Sequence, residues 1–272
     1  MDKEQSLVAW LNAKGAVAIG YSGGVDSAYL AAVAVDALGA EKVLAIIGRS
    51  ASYPASQWIA ARTFAESIGL SVLEIDTDEL NDPRYAANPT NRCYFCKTEL
   101  WSRLVPFAQA RGVSVVLDGT NADDRRDYRP GAQAAREHSI LSPLAELGFS
   151  KNDIREYSRL RGLPTWKQPS SPCLSSRLPY GTPVTVGRLK RVEAAEEALR
   201  MLGITGDLRV RHFGELAKVE LSPAELPHWS SDEGRPLLEA AVIGVGYERV
   251  ELDPRGFRSG ALNELAHIQT RP

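Results

Sequence analysis

The sequence contains no apolar run of the roughly 18 residues that a membrane-spanning helix requires, and its opening Met-Asp-Lys-Glu-Gln-Ser lacks the basic-then-apolar pattern of a secretory signal. Both absences make the cytoplasm the expected location and exclude a membrane partner. There is no excess of positive charge either: 32 Lys and Arg stand against 34 Asp and Glu, a net charge of −2. No global basic field draws this chain to a nucleic-acid backbone, so nucleic acid is not an expected partner. Cysteine is scarce and odd in number, at three, which excludes full pairing within the chain. Cytosolic thiols are kept reduced, so Cys93, Cys96 and Cys173 are expected to do something other than form structural disulfides. Histidine is limited to His138, His212, His228 and His267, and none has the spacing of a zinc ligand pair. Internal repeats and low-complexity tracts are also missing.

What remains is an ordinary globular composition, 44% hydrophobic and 24% charged over 272 residues, long enough for one full domain and a smaller one. In the first half, short apolar runs at Ala16–Tyr21, Val43–Ile47, Ser71–Ile75 and Val113–Asp118 read as strands. Helical patterns at Ser27–Leu38, Ala55–Ile68 and Lys97–Arg111 lie between them. Strands alternating with helices long enough for crossovers predict a doubly wound, parallel-sheet α/β domain over 1–183. Prolines 169, 172, 179 and 183 keep a regular helix out of Trp166–Pro183, which reads as a loop between domains. Beyond it, Arg188–Leu202 places Val192, Ala195, Leu199 and Leu202 on one helical face. Strands at Leu208–His212, Ala217–Leu221 and Arg249–Leu252, with a helix near Arg235–Val242, complete a smaller α+β domain over 184–272.

The first strand runs into Ser22-Gly23-Gly24-Val25-Asp26-Ser27, and a helix follows. Strand, glycine turn, helix aims backbone N–H groups at an anion, and Ser22 and Ser27 add hydroxyls for phosphate oxygens. The string lacks the G-K-[ST] ending whose lysine grips β- and γ-phosphates in ordinary P-loop enzymes. It resembles instead the PP-loop of the ATP pyrophosphatases, which cut ATP between the α and β phosphates. That family includes NAD and GMP synthetases, argininosuccinate synthetase and tRNA-thiolating enzymes. Gly48-Arg49-Ser50 ends the second strand and Gly119-Thr120-Asn121-Ala122-Asp123-Asp124 the fourth, where ligands of open α/β sheets bind. The resemblance implies Ser50 near the nucleoside and Gly119 with Thr120 near the reacting phosphate. Asp26 and Asp123 are candidate Mg²⁺ partners, since that ion takes oxygen ligands. A plainer reading of Thr120–Asp123 is a turn or helix cap.

Adenylation turns a carboxylate into a substrate for a second nucleophile, and the cysteines are the candidates. Cys173 lies among Ser and Pro beside Arg177, with little of the apolar context of a core cysteine. Cys93-Tyr94-Phe95-Cys96 alone is ambiguous between metal, redox and accident. Five strings together, Tyr21–Ser27, Asn91–Lys97, Asp118–Asn121, Cys173–Arg177 and Phe257–Asn263, resemble the LarE family across almost the whole chain. Members are ATP-dependent sulfur transferases of nickel-pincer cofactor biosynthesis, acting on pyridinium-3,5-biscarboxylic acid mononucleotide. The resemblance implies that Cys93, Cys96 and Cys173 hold a [4Fe–4S] cluster by three thiolates, with one iron open to carry the transferred sulfur. It also implies ATP and Mg²⁺, sulfide or a sulfur-donor protein as partner, and a homo-oligomer.

The substrate's phosphate calls for hydroxyl and guanidinium partners, for which Ser176, Arg177, Arg209 and Arg211 are the candidates. Arg209 and Arg211 share one face of the expected strand, as an anion site or as a solvated basic face. Other readings are tRNA thiolation by a PP-loop enzyme, sacrificial sulfur donation from Cys173 without a cluster, ammonia-dependent amidation, and a non-catalytic nucleotide-binding regulator.

Overall fold

A computed structural model describes residues 2–126, 130–169 and 172–258. The end of the Phe257–Asn263 motif, from Ser259 on, falls outside them. Two compact units result, one of residues 2–82, 91–126 and 130–169, the other of residues 83–90 and 172–258.

The first unit is a parallel sheet of β1 (Val17–Gly20), β2 (Val43–Arg49), β3 (Val72–Asp76) and β4 (Val116–Leu117), in the order β3-β2-β1-β4. Ala18 is in register with Leu44 on one side and Val116 on the other. Val17, Ala18 and Ile19 of β1 and Ala45, Ile46 and Ile47 of β2 are buried on both faces, as continuous apolar runs in a helix-covered parallel sheet should be. The helices Val25–Leu38 and Ala55–Ser67 make the crossovers. Leu30, Val33 and Ala34 pack in one core with Leu7, Leu11 and Phe149, while Trp101, Leu104 and Ala108 pack in another against Ala18 and Ile46. The four strands and three helices that the sequence predicts are present, with two differences, and the helices Lys3–Asn12, Gly131–Glu137 and Lys151–Leu160 come in addition. The fourth strand shrinks to two residues, its place at the edge extended by a bridge from Leu117 to Leu141. The helix expected from Lys97 starts at Arg92 and runs to Gln109, which puts Cys93 in its first turn and Cys96 in its second.

In the second unit the helix Val186–Met201 covers β5 (Leu208–Phe213), β6 (Leu216–Leu221) and β7 (Arg249–Leu252). β5 and β6 are antiparallel, and β7 joins β6 in parallel. Leu189, Val192, Ala195 and Leu199 form the helix's buried face, whereas Leu202 lies beyond its last turn at 36% exposure. The segment 83–90 joins this unit through Asn88, whose side-chain amide donates to the carbonyls of Pro179 and Thr182 at 2.8 and 2.9 Å. The Tyr85 and Ser175 hydroxyls meet at 2.6 Å.

Candidate functional site

β1 stops at Gly20, and the helix Val25–Leu38 begins with Gly24 at its N-cap, where no side chain bonds the first turn. The leading N–H groups of a helix have no intrahelical acceptor, so an uncapped start is open to an anion. The loop before it is held from several directions. The buried Ser27 hydroxyl accepts from the Ser22 N–H at 3.3 Å and donates to the Gly24 carbonyl at 3.2 Å. Tyr53 and Gln57 donate to the Ser22 carbonyl at 2.9 and 3.0 Å, satisfying that acceptor. Gly23 has a φ of 67°, and a Cβ there would lie 2.2 Å from the Cβ of Ala61. A Cβ on Gly119 would lie 2.9 Å from the Ser27 nitrogen, so glycine is what lets the end of β4 reach the loop.

A cleft of about 720 Å³ opens here, lined by Ser22, Gly24, Asp26, Ser27, Gly119 and Thr120 from the expected nucleotide site and by Cys93 from the first turn of Arg92–Gln109. Gly23 is instead buried against Ala61, and Val25 faces the core at 4% exposure. Ser50 and Asp123 are not among the lining residues. The Ser50 hydroxyl accepts from the Ser52 N–H at 3.1 Å. Asn121 accepts from the N–H groups of Asp123 and Asp124 at 2.9 and 3.2 Å, which is the turn-capping role open to it in the sequence.

Three residues that sequence reasoning missed also shape this region. Asp118 lines the cleft and fixes Thr120, accepting from its N–H at 3.0 Å and its hydroxyl at 2.8 Å, with a further bond from Ser142 at 2.7 Å. Lys97 lines it too, with its Nζ 5.0 Å from the Trp101 ring centroid. Its position four residues after Cys93 was the available signal, since such pairs share a helix face. Lys151 donates to both Asp26 oxygens at 2.9 and 2.7 Å, while its backbone N–H donates to Asp123 at 2.8 Å. Both candidate magnesium carboxylates thus contact one lysine.

In the second unit Cys173, half-buried, precedes the short turn Leu174–Arg177. Arg177 is 1% exposed, binds Glu196 through two bonds of 2.8 and 2.9 Å, and donates to the Pro172 and Cys173 carbonyls. Arg211 binds Glu220 in the same two-pronged way, at 3.0 and 2.8 Å, and donates to the Ser176 carbonyl at 2.9 Å. These forks hold the cysteine-bearing turn. Arg209 lies 4.8 Å from the Phe257 ring centroid, and burial, aided by the positive charge of Arg177, lowers its pKa to about 10. With Arg209 and Arg211 at 3% and 6% exposure, the solvated basic face allowed by the sequence does not form. None of the three cysteines is in a disulfide. Cys93 and Cys96 belong to the first unit and Cys173 to the second; among the described residues, no group of three His, Cys, Asp or Glu side chains is gathered as a metal site.

A parallel sheet, a glycine turn opening an uncapped helix and no P-loop lysine define a PP-loop enzyme of the ATP-dependent class. The family model described as NAD synthase matches residues 4–104. An NH(3)-dependent NAD(+) synthetase of Finegoldia magna is 32% identical over 172 residues, covering 59% of this chain and 68% of that protein. Other relatives match at greater length. An uncharacterised protein of Synechocystis sp. is 46% identical over 247 residues, 91% of either chain. The pyridinium-3,5-bisthiocarboxylic acid mononucleotide synthase of Lactiplantibacillus plantarum is 35% identical over 262 residues, 96% of this chain and 94% of its own. The chain belongs to the LarE family. No helix among the described residues is long and apolar enough to cross a membrane.

Proposed function

We propose that the protein is an AMP-forming sulfurtransferase that converts carboxylates of pyridinium-3,5-biscarboxylic acid mononucleotide to thiocarboxylates for the nickel-pincer cofactor. The observation that carries this reading is the near-full-length similarity to the synthase of Lactiplantibacillus plantarum, joined to a glycine loop whose helix start is open in a cleft. In the first step a substrate carboxylate oxygen attacks the α-phosphorus of ATP, the bond to the β-phosphate oxygen breaks, and pyrophosphate leaves. In the second, a sulfur nucleophile attacks the acyl carbon, the carbon–oxygen bond breaks, and AMP departs with its electron pair. The Ser22 hydroxyl and the Gly24–Ser27 N–H groups suit the phosphates, with Ser27 shaping the loop, and Gly119 with Thr120, the latter placed by Asp118, is the proposed neighbour of the reacting one. Ser50 is the proposed nucleoside contact. Asp26 and Asp123 offer the oxygen ligands that Mg²⁺ takes. Ser176, Arg177, Arg209 and Arg211 are the proposed environment of the substrate phosphate.

The sulfur chemistry is assigned to the three cysteines. Cys93 and Cys96 lie three residues apart near the start of one helix and outside any disulfide, a spacing that suits thiolate ligation of a [4Fe–4S] cluster, with Cys173 as the third ligand and one fewer than the usual four. When bound, such a group would supply the sulfur that is transferred. An assay with ATP, the mononucleotide, sulfide and anaerobically reconstituted protein tests both halves. Stoichiometric AMP, pyrophosphate and thiocarboxylate are expected; ADP and phosphate would refute the PP-loop chemistry. Multiple turnover by Cys93→Ala would refute the cluster, and loss of one H₂S in mass from Cys173 would assign sacrificial donation instead.

A further inference from the structure

A second basic cavity, apart from the glycine loop and from the Arg209 and Arg211 face, opens in the second unit. Side chains alternate across a strand, so His212 lies on the opposite face of β5 from Arg209 and Arg211. A cavity of about 420 Å³ opens on that side, lined by Thr185, Arg188, Arg191, His212 and Glu215. His212 is 3% exposed. Its Nδ1 lies 3.1 Å from the Tyr247 hydroxyl, and among the described residues no group is hydrogen-bonded to its Nε2. An otherwise buried imidazole is thus anchored by one nitrogen, while the other is left to the cavity it lines and can bond a ligand there.

The other groups around this cavity favour an anion. Arg191 is held by Glu215 at 3.2 Å and lies 5.5 Å from the Tyr247 ring centroid, and Arg188 donates to the Pro183 carbonyl at 2.7 Å. Each of these bonds uses one of a guanidinium's five N–H donors, so both arginines retain donors while being fixed in place. The helix Val186–Met201 starts here. Thr185 accepts from the Arg188 N–H at 3.3 Å, which leaves the N–H groups of Val186 and Gly187 as first-turn donors without an intrahelical acceptor. Two guanidinium groups face one carboxylate, and burial together with those arginines pushes the His212 pKa down, so the ring is a neutral hydrogen-bonding partner.

We infer that this cavity binds a phosphoryl oxyanion, either free phosphate or the phosphate end of a small metabolite, through Arg188, Arg191, His212 and the start of the helix. Three kinds of donor converging from two elements suit a tetrahedral group with three or more free oxygens better than a planar carboxylate.

With four histidines in the sequence, ¹⁵N-histidine spectra of the full-length protein can follow the His212 ring directly, with His212→Gln assigning its signal. Inorganic phosphate is expected to shift that signal saturably while leaving the His138 signal in place. Arg188→Gln/Arg191→Gln should weaken the response by roughly tenfold or more, the equivalent of one charge-assisted hydrogen bond, and Arg191→Lys should retain part of it. The same response to glycerol phosphate but not to free phosphate would assign a metabolite; the reverse would assign the ion. No saturable shift with either, or a shift undiminished in the double variant, would overturn the inference. If the double variant misfolds, Arg188→Gln alone decides, since its side chain lies at the cavity rim rather than in the core.

Discussion

Lys151 binds both carboxylate oxygens of Asp26, at 2.9 and 2.7 Å, across 125 residues of sequence. Asp26 sits in the first turn after the glycine loop and Lys151 in the first turn of the helix Lys151–Leu160, so the pair ties two helix starts beside one cleft. Lys151→Met leaves the Asp26 carboxylate without its cation. AMP-forming turnover should fall by about tenfold or more, on the scale of a lost charge-assisted bond. Thermal unfolding should shift little, because both side chains are partly solvated, at 34% and 23% exposure. Lys151→Arg should recover part of the rate, and equal turnover by Lys151→Met and the unaltered protein would remove Lys151 from the site.

Gly23→Ala tests the loop's backbone. The position combines a left-handed φ with a Cβ that would overlap Ala61, so the helix Ala55–Ser67 or the loop must move. The expected stability loss is about 1–3 kcal/mol by urea unfolding, accompanied by loss of ATP binding in calorimetry. Gly15→Ala, at a φ of 79° with no neighbour within 4 Å, is the control: backbone strain without loss of nucleotide binding.

How much of this was legible follows from range of interaction. β1, the glycine loop and the helix after it are local: period, glycine pair and helix start lie within a few residues, and the sequence displays them. Cys93 in the nucleotide cleft was not legible, because the start of its helix at Arg92 carries no capping side-chain bond. Lys151 was hidden in a Ser150-to-Asp153 capping box, which reads as a helix start and nothing more. The burial of Arg209 and Arg211 was equally silent. Alternation puts them on one face, but the partner that makes burial tolerable for Arg211, Glu220, lies on the neighbouring strand.

That partner gives the third prediction. The side chains of Arg211 and Glu220 are exposed by 7% and 4%, so removing one charge strands the other in a low-dielectric site. Glu220→Gln should destabilise the protein by about 3–5 kcal/mol, measured by urea unfolding. The double change Arg211→Met/Glu220→Leu should cost less than Glu220→Gln alone, because an apolar pair of similar volume leaves no charge uncompensated. A double variant less stable than the single one would mean that Arg211 acts chiefly by holding the Ser176 carbonyl.

The last prediction concerns acid stability. Lys3 donates to Asp153 at 2.6 Å and to the Gly148 carbonyl at 2.7 Å, fastening the helix Lys3–Asn12 to the start of the helix Lys151–Leu160. The bond from Lys3 and those from the Ser150 backbone and hydroxyl pull the Asp153 pKa down to about 2, against about 3.9 for an unperturbed aspartate. A depressed carboxyl binds its proton more readily in the unfolded chain, so its contribution to stability is full above about pH 4 and disappears as pH falls toward about 2. Asp153→Asn should therefore lower the urea midpoint at pH 7 and flatten the pH dependence of stability between about pH 4 and 2. Lys3→Met should act in the same window but less completely, because the Ser150 bonds remain. A steep acid limb unchanged in Asp153→Asn would assign that limb to other carboxylates, with Asp253, held by Lys218 at 3.2 Å and likewise shifted down, the next to test.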